Sequence, residues 1–129
     1  MFLKKDSHPF ASEIEELYSL YLPQKLNKGT LLFGIVQDDV LKGVAGIKNL
    51  YGKWFFRGCV VKPEFRGEGL QKRLIQERLD YLSDKTNEVK AVVCLPNTSS
   101  IDNLLASDFV FEKNRVMNGD LAESYVYKF

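Results

Sequence analysis

One short segment of the sequence combines residue types that favour the binding of an anion. In "VVKPEFRGEGL", residues 60–70, a β-branched run breaks at a proline, and two glycines, Gly67 and Gly69, then flank Glu68. An amphipathic helical pattern begins directly after this turn. Backbone N–H groups at the start of a helix have no partner within it and lie at the positive end of its dipole. The segment therefore predicts that N–H groups from Gly67 to Gln71 hold a phosphate or another anion.

A second interpretation of the two glycines needs no ligand. Short Gly-X-Gly turns also occur where the backbone needs a positive φ, or where a helix packs closely on a sheet. The segment also lacks the GK[ST] ending of a P-loop, so that phosphate-binding template does not fit. At the level of these local residues, an anion cradle and a packing turn both remain open.

The segment and its surroundings resemble the GNAT N-acetyltransferase family. That family carries R/Q-x-x-G-x-G/A between a strand and its central helix, and Arg66, Gly69 and Gln71 occupy those three positions. Further along, Asn97 and Phe109 stand at the spacing at which family members often place an Asn after the fifth strand and a Phe at the start of the next. The resemblance extends over roughly residues 30–129.

This resemblance implies that acetyl-CoA is the cosubstrate. In the family, the amides of the glycine loop hold the pyrophosphate, and the backbone of the preceding strand binds the pantetheine arm and helps to polarise the thioester carbonyl. The Asn contacts the same arm, although Asn97 has an equally good interpretation as a helix N-cap. The implied cofactor-binding residues are Val60, Val61, Arg66, Gly67, Glu68, Gly69, Leu70, Gln71 and Asn97.

Three positions depart from the family pattern. Gln71 replaces a small residue, and its side-chain amide either donates to the phosphates or points to solvent. Asp108 replaces a Gly before Phe109, at a helix C-cap where a left-handed conformation is expected. Leu104 stands where many members carry a Tyr that protonates the departing thiolate, so the catalytic acid must come from elsewhere or from water.

The sequence identifies no general acid or base, and the catalytic residues stay unassigned. Tyr125 and Tyr127 alternate on the last predicted strand, and their hydroxyls either replace the missing acid or only pack. Glu15, Glu16 and Glu64 are candidates for the base, but each is better explained as a solvated surface acid.

Taken together, these motifs predict an acetyl-CoA-dependent N-acetyltransferase that acetylates a primary amine, either small or on a protein, by direct attack. The alternative is a GNAT-fold module that binds acyl-CoA or regulates another process without turnover. A weaker alternative is an unrelated module that binds a nucleotide or phosphate with a similar loop.

Composition limits the other classes of function. The 129 residues include 18 Lys and Arg against 17 Asp and Glu, a formal net charge of +1, so no nucleic-acid partner is expected. No apolar stretch is long enough to span a membrane, and the N-terminus lacks a signal-peptide pattern, so we expect a cytoplasmic protein. Cys59 and Cys94 lack CxxC spacing and are expected to be buried free thiols, with no metal site.

The elements that must position the loop follow from the hydrophobic periodicity. Helices are predicted over Ser12–Leu22, with Ser12 and Glu15 as a capping box and Pro23 ending the run, and from Leu70 to an end near residues 83–87. A further helix is predicted after Pro96, with an apolar stripe of Ile101, Leu104 and Leu105. The predicted strands cover residues 30–37, 40–50, 53–61, 89–95, 108–117 and 123–129. The first three form a meander with turns at Asp38-Asp39 and Gly52, and the last two form a closing hairpin with a turn at Asn118-Gly119.

This order of elements predicts an α/β (α+β) fold in one domain, residues 1–129. The expected sheet is GNAT-like, mixed and mostly antiparallel, with about six strands, a central parallel crossover and flanking helices. The region before residue 30 is short for a complete acceptor wall, which favours an open groove or a homodimer whose partner completes it.

Overall fold

The computed structural model of the protein describes residues 1–4, 8–22 and 29–129. Over this part of the chain, seven strands form one sheet that carries three α-helices. The strands are β1 (Phe2–Leu3), β2 (Leu31–Gln37), β3 (Val40–Leu50), β4 (Lys53–Val61), β5 (Glu88–Cys94), β6 (Val110–Met117) and β7 (Asp120–Lys128). The helices are α1 (Ala11–Tyr21), α2 (Leu70–Leu82) and α3 (Thr98–Ala106).

The sheet has the order β1-β2-β3-β4-β5-β7-β6, and every neighbouring pair is antiparallel except β4 and β5. Strands β2, β3 and β4 form the predicted meander, and β6 and β7 form the predicted closing hairpin. Asn118 and Gly119, in the turn of that hairpin, both have positive φ, as a two-residue hairpin turn of type I′ requires. The mixed, mostly antiparallel sheet with a central parallel crossover is confirmed.

The crossover helix α2 begins directly after the glycine turn, as predicted, and ends at Leu82, just before the predicted end near residues 83–87. Its stripe packs on the sheet and is buried, and consists of Leu70, Leu74, Ile75, Leu79 and Leu82. Helix α3 supplies Leu104 to the same cluster of buried side chains, so α2 and α3 cover one face of the sheet. Helix α1 packs Ile14, Leu17 and Tyr18 in a separate cluster with Val44 and Val60, and covers the other face.

The N-terminal region adds a strand to the predicted sheet of about six, and one local prediction about it is wrong. The seventh strand, β1, forms because Phe2 and Leu3 pair with Phe33 and Leu32 of β2. The capping box at Ser12 and Glu15 does not form, because the N-cap of α1 is Phe10, two residues before Ser12. The Phe10 carbonyl already accepts from the Ile14 N–H at 2.9 Å, and Phe10 makes no side-chain cap. Pro23, predicted to end this helix, lies outside the described residues.

Candidate functional site

The glycine loop lies between the end of β4 and the first turn of α2. A single 3₁₀ turn, Pro63–Phe65, follows β4, and Gly67 and Gly69 then adopt φ values of +85° and +74°. Gly69 is the N-cap of α2 in the left-handed conformation, which glycine adopts without steric cost. A Cβ atom at either glycine would have no heavy atom of the described chain within 4 Å, apart from adjacent residues. The glycines therefore provide positive φ and open space, and close packing of the helix on the sheet does not explain them.

The backbone amides of this loop form no hydrogen bond with the residues that the structure describes. The first N–H of α2 to find a carbonyl is that of Arg73, which donates to the Gly69 carbonyl at 3.2 Å. The N–H groups from Gly67 to Lys72 have no acceptor in the described part of the chain. A run of consecutive unpaired N–H groups at a helix N-terminus is an anion-binding arrangement.

Side chains of the loop contact the neighbouring elements. Glu68 lies 3.7 Å from the Lys42 ammonium on β3, and both loop glycines are exposed beside it. The Arg66 Nε donates to the Val61 carbonyl at 3.3 Å, and its guanidinium lies 5.7 Å from the Tyr21 ring centroid. Arg66 therefore closes over the end of β4, and the Val61 carbonyl already has a hydrogen bond within the protein.

Next to the loop, a cavity of about 250 Å³ opens where β4 and β5 part. The two strands share one register pair, Phe55 with Lys90, and then diverge. One wall of the cavity is the β4 segment 56–59, and the opposite wall is the β5 segment 91–94. Val60 and Val61 do not line this cavity and lie between it and the glycine loop along the chain. The remaining lining residues are Tyr18, Tyr21, Leu22, Thr30, Gln71, Ile75, Arg78, Asn97, Ser100, Leu104 and Met117.

A β-bulge shapes the β4 wall of this cavity. Cys59 pairs with Ala45 and Arg57 pairs with Gly46, so Gly58 is the extra residue of the bulge. From the α1 face, the Tyr18 hydroxyl donates to the Gly58 carbonyl at 2.7 Å. Burial raises the pKa of this hydroxyl, so Tyr18 acts here as a neutral donor.

From the α2 face, the same bulge is contacted by Arg78, which is only 2% exposed. Its Nη1 donates to the carbonyls of Gly46 at 3.3 Å and Arg57 at 3.4 Å, and its Nε donates to the Leu74 carbonyl at 3.1 Å. The guanidinium lies 3.7 Å from the centroid of the Phe56 ring. Burial lowers the pKa of Arg78, and no carboxylate of the described chain pairs with it.

The sequence analysis did not single out Tyr18 or Arg78. Both lie on the apolar faces of their helices, Arg78 four residues after Leu74 and Tyr18 four residues after Ile14. A charged residue on the apolar face of a helix is rarely buried without a partner. The position of Arg78 on that face was therefore the one sequence signal that could have marked it as a candidate site residue.

The polar residues at the α3 side of the cavity bond to one another. The Gln71 Nε2 donates to the Ser100 hydroxyl at 3.2 Å, and the Gln71 Oε1 accepts from the Asn103 Nδ2 at 2.9 Å. Gln71 thus joins α2 to α3, and the expectation that its amide faces phosphate or solvent is wrong. The Asn97 Oδ1 accepts from the Ser100 N–H at 3.1 Å, which confirms the N-cap interpretation, and the residue also lines the cavity.

Leu104 is 5% exposed and lines the cavity, so its predicted packing role is confirmed. Leu105, expected on the same apolar stripe, is 49% exposed, because it faces away from α2. Leu104 supplies no proton, and neither tyrosine of the last strand lines this cavity. The Tyr125 hydroxyl donates to Glu123 at 2.9 Å, and Tyr127 lies at a separate pocket beside Lys72.

Within the described chain, no carboxylate or imidazole lines the cavity. Glu15, Glu16 and Glu64 are exposed, as their surface interpretation predicted. Cys59 and Cys94 are free thiols that line the cavity and are half-buried. Burial raises the pKa of the Cys59 thiol, against a smaller opposing effect of Arg78.

The described residues contain neither a metal-binding cluster nor a helix that could span a membrane. No cluster of three or more His, Cys, Asp or Glu side chains is placed to hold a metal ion. None of the helices has the length and apolar character that crossing a membrane would require.

Comparison with known proteins identifies the family. The sequence model of the Acetyltransferase (GNAT) family matches residues 2–105, which include the glycine loop, α2 and most of α3. No curated protein sequence matches this chain.

Solved structures share the fold at low sequence identity. The protein yncA from Salmonella typhimurium, solved with its cofactor acetyl-CoA, superposes with a TM-score of 0.80 at 15% identity, over 99% of this chain and 91% of that one. NAA60 from Arabidopsis thaliana, in complex with a bisubstrate analogue, gives 0.76 at 16% identity, over 91% of each chain. A chimera of the spermidine N-acetyltransferase SpeG from Vibrio cholerae and hSSAT gives 0.67 at 21% identity, over 91% of this chain and 75% of that one.

Proposed function

The chain belongs to the GNAT acetyltransferase family, and on that basis we propose that it transfers the acetyl group of acetyl-CoA to a primary amine by direct attack. Acetyl-CoA is the cosubstrate of the family. The observation that supports this function most is the adjacency of two features. A run of unpaired N–H groups, suited to a pyrophosphate, lies beside a cavity between two parted strands, suited to a thioester.

In this proposal the cofactor follows the path from the loop to the cavity. The N–H groups from Gly67 to Gln71 hold the pyrophosphate, and Arg66 and Glu68 flank it. The pantetheine arm then runs beside the backbone of Val60 and Val61 and reaches the cavity near Asn97. The Val61 carbonyl already accepts a hydrogen bond from Arg66. A hydrogen bond from the pantetheine arm to this carbonyl must therefore use its other lone pair or displace the Arg66 side chain.

The proposed chemistry is a single acyl transfer. The lone pair of a neutral amine attacks the thioester carbonyl carbon, a C–N bond forms, and the C–S bond breaks with its electron pair going to sulfur. The nitrogen then loses a proton to water, because no carboxylate or imidazole of the described chain lines the cavity. Such an enzyme depends mainly on the positioning and polarisation of the carbonyl.

The same absence in the described cavity lining favours one alternative. A member of this family with no carboxylate or imidazole in the described cavity lining, and with Leu104 at the usual acid position, is also suited to bind acyl-CoA without turnover. Binding of acetyl-CoA is common to the two proposals, and release of CoA separates them.

Calorimetric titration with CoA, acetyl-CoA and ATP tests the binding step. We expect CoA and acetyl-CoA to bind and ATP to bind much more weakly. A response to ATP alone, or a folded protein that binds none of the three at millimolar concentration, would contradict both proposals. Bound acetyl-CoA should also raise the melting temperature, because a ligand specific for the native state stabilises it by mass action.

The amine acceptor can be identified by a screen for acetyl-CoA turnover, with release of CoA as the measured quantity. The panel should contain polyamines, free amino acids, aminoglycosides and peptide N-termini. The SpeG chimera is named for spermidine, which makes polyamines a reasonable first arm. Turnover with any amine supports the enzyme, whereas tight CoA binding without turnover over the whole panel favours the binding module.

Cytoplasmic location, a single domain over residues 1–129 and a homodimer remain proposals from the sequence. Sedimentation with and without acetyl-CoA would test the dimer.

A further inference from the structure

Arg78 places a buried positive charge in the cavity, and the acetyl transfer proposed above assigns no role to it. Arg78 is 2% exposed, lines the cavity, and has no carboxylate partner in the part of the chain that the structure describes. A buried cation without a counter-ion is costly unless other groups compensate for its lost hydration. Three backbone carbonyls provide part of that compensation through Nε and Nη1, and no hydrogen bond of Nη2 to the described residues is present.

The position of Arg78 places this charge on the cofactor side of the sheet. The glycine loop is at the N-terminus of α2, and Arg78 belongs to the same helix. The rise from Leu70 to Arg78 is about 12 Å along the helix axis, at 1.5 Å per residue. A pantetheine arm that starts at the loop and follows β4 therefore brings its sulfur toward the bulge, where Arg78 contacts the Arg57 carbonyl.

We propose, on the premise of the acetyl transfer described above, that Arg78 stabilises the CoA thiolate as the C–S bond breaks. The electron pair of that bond goes to sulfur, and a full negative charge develops in a cavity whose described lining contains no carboxylic acid or imidazole. A fixed guanidinium lowers the energy of such a charge without transferring a proton. The thiolate takes up its proton from water after it leaves the cavity. Arg78 thus stabilises the leaving thiolate by its charge, whereas Leu104 has no proton with which to neutralise it.

Other ionisable groups face the same space and must be controlled. Tyr18 and Tyr21 contribute hydroxyls from α1, Arg57 and Cys59 belong to β4, and Cys94 belongs to β5. Cys59 is the critical one, because its thiol interacts electrostatically with Arg78. A thiolate signal from the protein therefore needs to be separated from that of the bound CoA.

The test compares CoA with desulfo-CoA, in which hydrogen replaces the thiol group. The two ligands share the adenosine, the pyrophosphate and the pantetheine, so their affinity ratio isolates the sulfur. If Arg78 stabilises the thiolate, the parent protein should prefer CoA increasingly as the pH rises from 6 to 9. The limiting ratio grows by about tenfold for each unit by which the pKa of the bound thiol is lowered.

Variants assign this preference to Arg78. In Arg78→Met the ratio should become independent of pH, while Arg78→Lys, which keeps a charge, should retain a rising ratio. The same titration on Cys59→Ser should match the parent, because the ratio cancels the thiols of the protein. Difference ultraviolet spectra of the CoA and desulfo-CoA complexes give an independent count of bound thiolate.

Two results would overturn the proposal, and they differ from a failure of the proposed function. A parent protein that binds both ligands with a ratio independent of pH excludes a stabilised thiolate. A folded Arg78→Met that keeps the rising ratio excludes Arg78 as its cause. If instead neither ligand binds the parent, acetyl transfer itself is contradicted. Because the titration of the parent alone can exclude a stabilised thiolate, the proposal stays falsifiable even if Arg78→Met does not fold.

Discussion

The Tyr18 hydroxyl donates a 2.7 Å hydrogen bond to the Gly58 carbonyl, across 40 residues of sequence. Gly58 is the extra residue of the β4 bulge, and its carbonyl has left the regular ladder with β3. Arg78 contacts the neighbouring Arg57 carbonyl from the opposite face of the sheet. The wall of the cavity is therefore held from both sides, by a neutral donor and by a charged one.

Tyr18→Phe should destabilise the protein by about 1–3 kcal/mol, because it leaves a partly buried carbonyl without its donor. Urea unfolding measures the loss. Tyr21→Phe is the matched control, since Tyr21 lines the same cavity and its hydroxyl makes no hydrogen bond to the described chain. Equal stability of the two variants would show that the hydrogen bond to Gly58 contributes nothing.

The sequence predicts those elements whose signals are local. The start of helix α2 was predicted because Gly69 and a regular apolar stripe mark it, and its end was predicted only to within a few residues. The hairpin turns were predicted because their residues accept positive φ. Asp108 adopts a φ of 69°, as expected for the residue that replaces a glycine at that C-cap.

Features that depend on pairing between distant segments could not be predicted from the sequence. Strand β1 has two residues and exists only because β2 offers an edge, so it has no alternation to detect. The bulge at Gly58 and the parting of β4 from β5 are matters of register, which no local residue pattern encodes. The loop residues could therefore be named in advance, whereas the cavity and its donors Tyr18 and Arg78 could not.

Leu104→Ala should cost about 2–5 kcal/mol of unfolding free energy, because it truncates a buried leucine in the main core cluster. Leu105→Ala is the control on the same helix, since Leu105 is half exposed. The control should change stability by less than about 0.5 kcal/mol. Thermal and urea unfolding of both variants test the difference, and similar losses would contradict the packing of Leu104 into the core.

Glu112 should make the protein more stable above the ordinary titration range of glutamate than below it. A hydrogen bond from Lys90, at 2.9 Å, is the main cause that lowers the pKa of Glu112, and the Ser124 hydroxyl adds a second bond at 3.0 Å. A carboxyl with a lowered folded pKa contributes stability above its unfolded pKa of about 4.3, and this contribution disappears as the pH falls through the folded value.

Glu112→Gln should therefore lose up to about 1 kcal/mol at pH 7 and show a shallower loss of stability from pH 5 to 3. Glu88→Gln, which removes an exposed carboxylate that forms no ion pair with the described residues, is the control and should keep the slope of the parent. Urea unfolding at a series of pH values checks both variants. A slope unchanged by Glu112→Gln would exclude this carboxyl as a source of the acid sensitivity.

Gly69→Val should abolish most CoA binding while the protein stays folded. Valine must adopt a φ near +74° at the N-cap of α2, a strain of about 1–3 kcal/mol. Its side chain meets no described atom of the protein within 4 Å of Cβ, so it occupies the open space assigned to the pyrophosphate. Gly52→Val is the matched control, because Gly52 also has positive φ and open space but lies in the turn between β3 and β4.

Both variants should lose similar stability in urea, and only Gly69→Val should lose CoA affinity by calorimetry. A folded Gly69→Val that binds CoA as the parent does would refute the pyrophosphate cradle, whereas equal loss of affinity in both variants would trace the effect to general destabilisation.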